Sequence, residues 1–182
     1  HYDVVEHGSE FVQGANDNAA AVVQLITAAQ RIQDDGREPN VRFVFFDHEE
    51  WFGSADMGSN RYVENNPAPE LAVILDVTGI GSLYWSRNQT VLPEPWQQAI
   101  LYGLPARETP PSDSMNFLHH WVPTVLLCCL PERSFRLGNP PEWGLLHTSG
   151  DSEDTITPDS LTAVSDFLVD AVSRLQVLMP RG

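Results

Sequence analysis

Three short runs of apolar residues constrain the fold of this chain more than any other sequence feature. They cover residues 41–46 (VRFVFF), 71–77 (LAVILDV) and 122–130 (VPTVLLCCL), and all are rich in β-branched or aromatic side chains. Continuous apolar runs of this length, bounded by proline or charged residues, are typical of strands that are buried on both faces of a sheet. We therefore predict that these runs form the central strands of a buried sheet.

Helical patterns alternate with the predicted strands. An amphipathic helix is expected from Asn16 or Asp17 to Gly36, and a last helix from Pro158 to about Met179, with Thr157 as its N-cap. Shorter helices are predicted over 54–64 and 95–102, and an edge strand or hairpin over 82–87. The order strand, helix, strand between 41 and 77 favours a parallel unit with a right-handed crossover. The alternation predicts an α/β fold, a three-layer α/β/α sandwich around a mixed, mostly parallel sheet, in a single domain over residues 1–182.

The charge balance excludes one class of partner. The chain has 25 acidic against 10 basic residues and a formal net charge of −15, so nucleic acid is not an expected partner. All ten basic residues are arginines, and their scatter along the sequence indicates no site. No apolar run approaches the roughly 20 residues that span a bilayer, so a membrane is not expected either. The adjacent Cys128 and Cys129 should point to opposite faces of their strand, and they do not identify a compartment.

Side chains of the types that can bind metal ions follow the predicted strands or begin a helix. They are Asp17, Asp47, Glu49, Glu50, Asp76 and His147. Taken singly, the adjacent glutamates are most often a solvated loop and Asp17 is most often a helix cap. Asp76 interrupts an apolar run, where an unpaired charge costs several kcal/mol unless a cation or hydrogen bonds compensate it. Together with His1, these oxygen and imidazole ligands suit zinc or its first-row neighbours, and the sequence predicts a zinc-dependent hydrolase site centred on Glu49 and Glu50.

Four segments give the chain a resemblance to a known family. They are HYD at 1–3, GANDNAA at 14–20, FVFFDHEEWFGS at 43–54 with LDVTG after it, and HTSGDSED at 147–154. In order and spacing they resemble the M28 family of zinc aminopeptidases and their relatives, which include the glutaminyl cyclases. The resemblance covers essentially the whole chain and implies a zinc-exopeptidase-like fold. In that family a strand and further elements precede the position of His1, so the chain is expected to lack N-terminal elements of the fold.

The resemblance also implies a metal ligand set. Asp17 would bridge two zinc ions, with Glu50 and His147 completing one site and with His1 and Asp76 completing the other. Two zinc ions are expected, and a single ion held by Asp17, Glu50 and His147 is the alternative. The family further implies a cis peptide bond between Asp17 and Asn18.

Two acidic residues are assigned roles beside the metal ligands. Glu49 would be the general base that takes a proton from the attacking water, and Asp3 would orient the His1 imidazole by accepting its second N–H. The implied function is that of a metallo-aminopeptidase acting on a peptide or small amide with a free N-terminus. A glutaminyl cyclase-like acyltransferase with one zinc and a noncatalytic binding domain are the alternatives. The oligomeric state stays open, and the resemblance favours a secreted or periplasmic location.

Other residues are weaker candidates. Asp113, in a segment that resembles the family stretch before the third strand, is a candidate for shaping the site, and the bulk of His48 could alter access to Glu49. His7, His48, His119 and His120 are interpreted as structural or exposed. Six aromatic residues could line a substrate pocket, although ordinary packing is the more common role of any one of them: Trp51, Phe52, Trp85, Phe117, Trp121 and Trp143.

Overall fold

A computed structural model describes residues 1–5, 11–37 and 39–178. Its strands are β1 (Ala72–Leu75), β2 (Ser82–Ser86), β3 (Ala106–Arg107) and β4 (Thr124–Leu130). Its α-helices are α1 (Ala20–Asp34), α2 (Gly58–Asn65), α3 (Glu94–Leu101), α4 (Ser114–His119) and α5 (Pro158–Leu178). Short helical turns cover Ala15–Ala19, Glu132–Ser134, Pro141–Gly144 and Glu153–Thr155. None of the helices described is both long and apolar enough to cross a membrane.

The four strands form one mixed sheet in the order β1-β4-β2-β3. β1 and β4 are parallel, β2 and β3 are parallel, and β2 and β4 are antiparallel. The predicted mixed, mostly parallel sheet is therefore confirmed. The predicted strand over 82–87 is present as β2, but its predicted place at the edge of the sheet is wrong, because the two-residue strand β3 pairs with β2 on its outer side. A strand of two residues is too short to leave a periodic pattern in the sequence.

Helices cover both faces of the sheet, as a three-layer sandwich requires. On one face, Leu75 and Leu127 pack in a core with residues of α1, α3 and α5. On the other face, Ile74 and Leu126 pack with Phe117 of α4 and residues of α2. We call these the α1/α5 face and the α2/α4 face. All seven residues of β4 are buried, which explains its continuous apolar sequence.

The two cysteines belong to opposite faces of this sheet. Cys128 lies in the core of the α2/α4 face and Cys129 in the core of the α1/α5 face. Both are free thiols, as the strand geometry predicts.

Residues 41–46 differ from the prediction, because they form no strand in the part of the chain that the structure describes. Phe43 packs toward the α1/α5 core, whereas Val44 and Phe46 pack toward the α2/α4 core. The run is therefore apolar because it contacts both cores. A strand also needs a neighbouring ladder of hydrogen bonds, which composition cannot supply. The predicted parallel unit between 41 and 77 is accordingly not formed, and the parallel partner of β1 is β4.

The helices near the ends of the chain lie close to their predicted bounds. α1 begins at Ala20 rather than at Asn16 or Asp17, because Asp17 and Asn18 have non-helical backbone angles. The peptide bond between these two residues is cis, as expected. α5 begins directly after Thr157, whose carbonyl accepts the Leu161 N–H at 3.2 Å. The predicted last residue of that helix, Met179, lies outside the described residues.

Candidate metal centre

The candidate site lies at the carboxyl edge of β1 and β4. Asp76 follows β1 directly, and its N–H donates to the carbonyl of Leu127 at 3.1 Å, so the sheet ladder continues through it. Because side chains alternate along a strand, Asp76 is on the same face as Ile74, the α2/α4 face. Glu49 and Glu50 reach this edge through a turn in which His48 has a φ of 59°.

Two groups of side chains meet there, and each is built around one imidazole. In the His1 group, Nε2 of His1 is 3.1 Å from Oδ1 of Asp17, 3.6 Å from Oδ1 of Asp76 and 3.8 Å from Oε2 of Glu49. In the His147 group, Nε2 of His147 is 3.0 Å from Oε2 of Glu50 and 3.2 Å from Oδ2 of Asp17. All five predicted metal ligands and the predicted base Glu49 are thus brought together.

Asp17 belongs to both groups. Its Oδ1 faces His1 and its Oδ2 faces His147, and the residue is only 6% exposed. A carboxylate that offers one oxygen to each of two neighbouring ligand groups has the arrangement of a bridging ligand. The sharp bend at 15–19 turns Asp17 toward this position instead of leaving it at the start of a regular helix.

The donor set fits a bound cation. The donor atoms of His1, Glu49 and Asp76 lie within 4.8 Å of one another, and so do those of His1, Asp17 and Glu50. Among these buried donors, Nε2 of His1, Oδ1 of Asp76 and Oε1 of Glu50 make no hydrogen bond. An unsatisfied buried polar atom costs about 1–3 kcal/mol, so a cation at this position would remove a penalty that protein contacts leave in place. Imidazole nitrogens and carboxylate oxygens are ligands that zinc accepts.

The charges of the site are strongly coupled to protons. Burial and the charge of Asp76 raise the pKa of Glu49 to about 9. Hydrogen bonds with Asp17 and Glu50 raise the pKa of His147 to about 10. Burial would raise the pKa of Asp17, but His1 and His147 together lower it to about 2. Without a cation the cluster therefore holds protons on Glu49 and His147, and a metal ion must compete with them.

Asp3 connects the two groups. Its Oδ1 lies 3.3 Å from Nδ1 of His1, and its Oδ2 accepts the backbone N–H of Glu50 at 3.2 Å. The hydrogen bond of Nδ1 is with the backbone carbonyl of Asp3, also at 3.3 Å, whereas Oδ1 of Asp3 makes no hydrogen bond with the described residues, so the role of this carboxylate in orienting His1 stays a prediction. The contact with Glu50, which the sequence did not indicate, fixes the backbone of a ligand in the other group.

Sequence reasoning assigned no role to Asp151, although its segment was part of the family resemblance. The carboxylate of Asp151 is buried and accepts two consecutive backbone N–H groups, from Asn16 at 2.7 Å and from Asp17 at 3.0 Å. Asp151 lies four residues after His147, so it ties the loop of one ligand to the bend that carries the bridging ligand. An acidic residue four positions after a candidate ligand was the only signal in the sequence.

The candidate pocket residues separate into three kinds. Trp51, Phe52 and Trp121 are exposed, Trp121 to 92%, whereas Phe117 is buried in the α2/α4 core and Trp85 packs against the α1/α5 core. Phe117 and Trp85 are therefore packing residues. Trp143 lies beneath Arg107, with the guanidinium carbon 4.7 Å from the ring centroid.

The remaining predicted residues lie around the site or away from it. Asp113 is buried, and its burial raises its pKa to about 7, with Ser59 acting in the opposite direction. Nδ1 of His48 contacts Asp47 at 3.3 Å and its ring packs on Trp51, as expected of a structural residue. His119 and His120 are exposed, as predicted, and His7 lies outside the described residues.

The same architecture occurs in solved structures of aminopeptidases and of a glutaminyl cyclase. An aminopeptidase from Aneurinibacillus sp. strain AM-1 matches with a TM-score of 0.74 and 24% identity, over 96% of this chain and 42% of its own. A zinc aminopeptidase from Bacillus subtilis matches with a TM-score of 0.74 and 21% identity, over 96% and 44%. A glutaminyl cyclase from Tannerella forsythia matches with a TM-score of 0.66 and 20% identity, over 88% and 64%. The fold is that of the zinc aminopeptidases, and the chain spans less than two thirds of each of these proteins.

The sequence itself identifies the family. The model of peptidase family M28 matches residues 1–172, nearly the whole chain. The chain belongs to peptidase family M28. No curated protein sequence matches it.

Proposed function

We propose that the chain is a zinc-dependent aminopeptidase that hydrolyses the N-terminal bond of a peptide or small amide. The observation that carries this proposal is the position of Asp17, whose two oxygens face the two imidazoles at 3.1 and 3.2 Å. Asp17 would bridge two ions, with His1 and Asp76 holding one and with Glu50 and His147 holding the other. Membership of family M28 and the fold shared with zinc aminopeptidases support the same function.

Zinc at this site would supply Lewis acidity, which polarises the scissile carbonyl and makes water a better nucleophile at neutral pH. The protein supplies the proton transfers. Glu49 is buried beside the ligands without being the nearest carboxylate to either imidazole, so its Oε2 is free to accept a proton from the attacking water. The same carboxyl then donates this proton to the leaving amine.

The acidic surroundings suit a substrate with a free α-amine. Besides the ligands, Asp3 and Asp113 are close enough to His1 to influence its charge or to be influenced by it. The negative charge of these carboxylates would attract a cationic ammonium group of the substrate and would repel an anionic group at the same position. We therefore expect unblocked peptides to be substrates and N-acetylated peptides to be poor ones.

The adjacent glutamates provide the test, since Glu49→Gln and Glu50→Gln make the same chemical change one residue apart. Glu49→Gln should lower kcat for an aminoacyl-anilide by about 10²–10⁴-fold, the usual effect of losing a general base, and should leave the zinc content unchanged. Glu50→Gln should lower the zinc content, because Glu50 is a proposed ligand. Retention of most of the activity by Glu49→Gln would remove Glu49 from the base role.

A glutaminyl cyclase is the second candidate, because the Tannerella forsythia enzyme of that name shares the fold. Such an activity would use one zinc and would transfer the α-amine of an N-terminal glutamine onto its own side-chain carbonyl with loss of ammonia. Peptides that begin with glutamine separate the two functions. Release of the first amino acid supports the aminopeptidase, ammonia without amino acid supports the cyclase, and no turnover with a fully loaded site supports a binding domain.

A further inference from the structure

A second concave site lies on the α2/α4 face, toward the edge of the sheet formed by β3. It is a cavity of about 520 Å³ that is wide open to solvent, and its wall includes Arg87, Arg107, Arg136, Glu108, Phe135 and Trp143. Cavities of 300–1,000 Å³ commonly hold small ligands or parts of larger ones. None of the residues proposed for the metal centre lines it.

The charge of this cavity is opposite to that of the chain. Three of the ten arginines line it, together with one of the 25 acidic residues, in a protein whose formal net charge is −15. The arginines that look scattered in sequence are therefore gathered by the fold. An anion repelled by most of the protein surface would meet a locally positive wall here.

The contacts of Arg107 hold its charge in place without neutralising it. Its guanidinium donates to four backbone carbonyls and stacks over Trp143; the carbonyls are those of Leu137 at 2.5 Å, Phe135 at 2.7 Å, and Ser134 and Gly138 at 3.3 Å. Carbonyl groups and an aromatic ring fix the position of a cation, but they carry no net negative charge. Arg107 therefore remains a fixed positive charge.

The other two arginines are available to an incoming anion. Arg87 contacts Glu108 at 3.3 Å, and these side chains are 63% and 70% exposed. An exposed pair of this kind contributes only about 0–1 kcal/mol, so Arg87 can exchange its partner at little cost. Arg136 is exposed on the same wall.

The cavity and the metal centre lie on the same face of the sheet. Arg107 stands opposite Ser86 in the pairing of β3 with β2, and Ser86 is two residues from Tyr84, which packs in the α2/α4 core, so all three side chains lie on that face. The ring of Phe135, from the wall of the cavity, lies 5.7 Å from that of Tyr84. Trp143, also in the wall, precedes the candidate ligand His147 by four residues.

The distance between the two sites suits a short peptide. β3 lies three strands away from β1 in the sheet. At about 4.8 Å per strand this separates the backbones at Asp76 and Arg107 by roughly 14 Å across the sheet. The strand pairing sets Arg107 level with Ile74, two residues from Asp76, so the offset along the strands is roughly 7 Å and the whole separation roughly 16 Å. An extended peptide rises about 3.3 Å per residue, so roughly four to five residues cover this distance.

We propose that the arginine-lined cavity binds a carboxylate of the substrate, about four to five residues from an amine placed at the metal centre. This inference rests on the proposed aminopeptidase function for the position of the amine. The carboxylate can come from an acidic side chain or from the C-terminus of a short peptide. The enzyme would then prefer short acidic peptides, despite its own excess of negative charge.

The test compares three peptides of one length: Leu-Ala-Ala-Glu-NH₂, Leu-Ala-Ala-Gln-NH₂ and Leu-Ala-Ala-Gln with a free C-terminus. Isothermal titration into zinc-loaded Glu49→Gln protein measures binding without turnover, and hydrolysis by the unmodified protein gives KM and kcat. We expect the amidated glutamine peptide to bind about tenfold more weakly than at least one of the others, from the loss of a charge-assisted contact. The peptide that binds more tightly shows whether the cavity takes a side-chain carboxylate or a C-terminal one. Among the three peptides KM should differ, whereas kcat should not.

Two exposed arginines serve as the variants, because replacing Arg107 would also release four carbonyls. Arg87→Gln and Arg136→Gln, combined, should abolish the preference and leave the affinity for the amidated glutamine peptide unchanged. Arg174→Gln, on α5 and outside the cavity, is the matched control and should keep the preference. Equal affinities for all three peptides, or an acidic preference that survives the double change, would overturn the proposal. Turnover without a preference for acidic peptides would contradict only the role of the cavity and would still support the aminopeptidase function. Charge-selective binding without turnover would contradict only the aminopeptidase function and would still support the cavity as a carboxylate site.

Discussion

The two halves of the candidate metal centre share Asp17 but differ in their access to solvent. The His1 side chain is 1% exposed and that of Asp76 is 14% exposed, whereas the His147 side chain is 47% exposed. The distances from each imidazole to the proposed carboxylate ligands also differ, since they are 3.0–3.2 Å in the His147 group and reach 3.6 Å, to Asp76, in the His1 group. Within the described part of the chain, two buried atoms of the His1 group, Nε2 of His1 and Oδ1 of Asp76, make no hydrogen bond, against one in the His147 group, Oε1 of Glu50, and the exposed His147 imidazole can be hydrated. The His1 group should thus gain more from a bound ion, and the His147 group should exchange its ion faster.

The change with the largest expected effect removes the residue that the two halves share. Asp17→Asn replaces one carboxylate oxygen with an NH₂ donor, which cannot bind a cation, so zinc should be lost from both halves together with nearly all turnover. Zinc content by mass spectrometry of the dialysed protein measures this. Asp34→Asn, at the exposed end of α1, is the control. A variant that keeps one full equivalent of zinc would show that Asp17 does not bridge.

Replacing one imidazole at a time tests whether the halves are independent. His147→Ala should leave one zinc in the buried half, which contains His1, and His1→Ala should leave one zinc in the exposed half, which contains His147. The zinc that remains in His147→Ala should be removed by a chelator more slowly, because its ligands are shielded from solvent. Chelator-driven loss followed with a colorimetric zinc indicator gives both rates. Equal rates in the two variants would contradict the difference in access, and loss of all zinc from His147→Ala would favour a single-ion centre.

The two supporting aspartates allow a finer test of the same comparison. Asp151→Asn keeps only one oxygen acceptor for the N–H groups of Asn16 and Asp17, so the bridging ligand loses its orientation. Asp3→Asn weakens the contact with His1 and the bond from Glu50. Each change should weaken zinc binding about 10–100-fold, as is usual for partners of metal ligands. Competition with a fluorescent chelator resolves the two affinities, and Asp151→Asn should affect both ions while Asp3→Asn affects the His1 group more.

The sequence predicted elements whose signal is local. The apolar run of β4 and the spacing of α5 were recognised because burial on two faces and packing on one face leave direct patterns. β3 and the irregular path of 41–46 were not predicted, because each depends on a partner distant in the chain. Pairing of Arg107 with Ser86 places β3 beside β2, and no pattern within two residues can encode that.

The candidate site shows the same division. Glu49, Glu50 and Asp76 could be predicted, since carboxylates at the ends of apolar runs are chemically unusual. Asp151 could not, because its role is to accept N–H groups from residues more than 130 positions earlier. The arginine-lined cavity is a further case, because its three arginines come from three separate segments.

The smallest expected effect concerns how the metal-free protein responds to pH. The pKa of Glu49 is raised from 4.5 to about 9, mainly by burial, and that of His147 is raised from 6.5 to about 10 by its carboxylate partners. Between its unfolded and its folded pKa, each group binds more protons in the folded state than in the unfolded state. These two pH ranges overlap from about 6.5 to 9, so the free energy of unfolding should fall as the pH rises across that overlap.

Zinc should reverse this trend. Metal binding displaces the same protons, so zinc affinity and the stabilisation it provides should increase with pH over that range. Thermal unfolding at pH 6.5 and 9, with EDTA and with excess zinc, measures both slopes. The Tm should fall with pH in EDTA, and the difference between the two conditions should widen. His147→Ala should flatten the slope in EDTA less than Glu49→Gln does, because His147 is half exposed to solvent and its interactions are screened. A metal-free Tm that rises over this range would mean that the buried half does not hold its proton on Glu49.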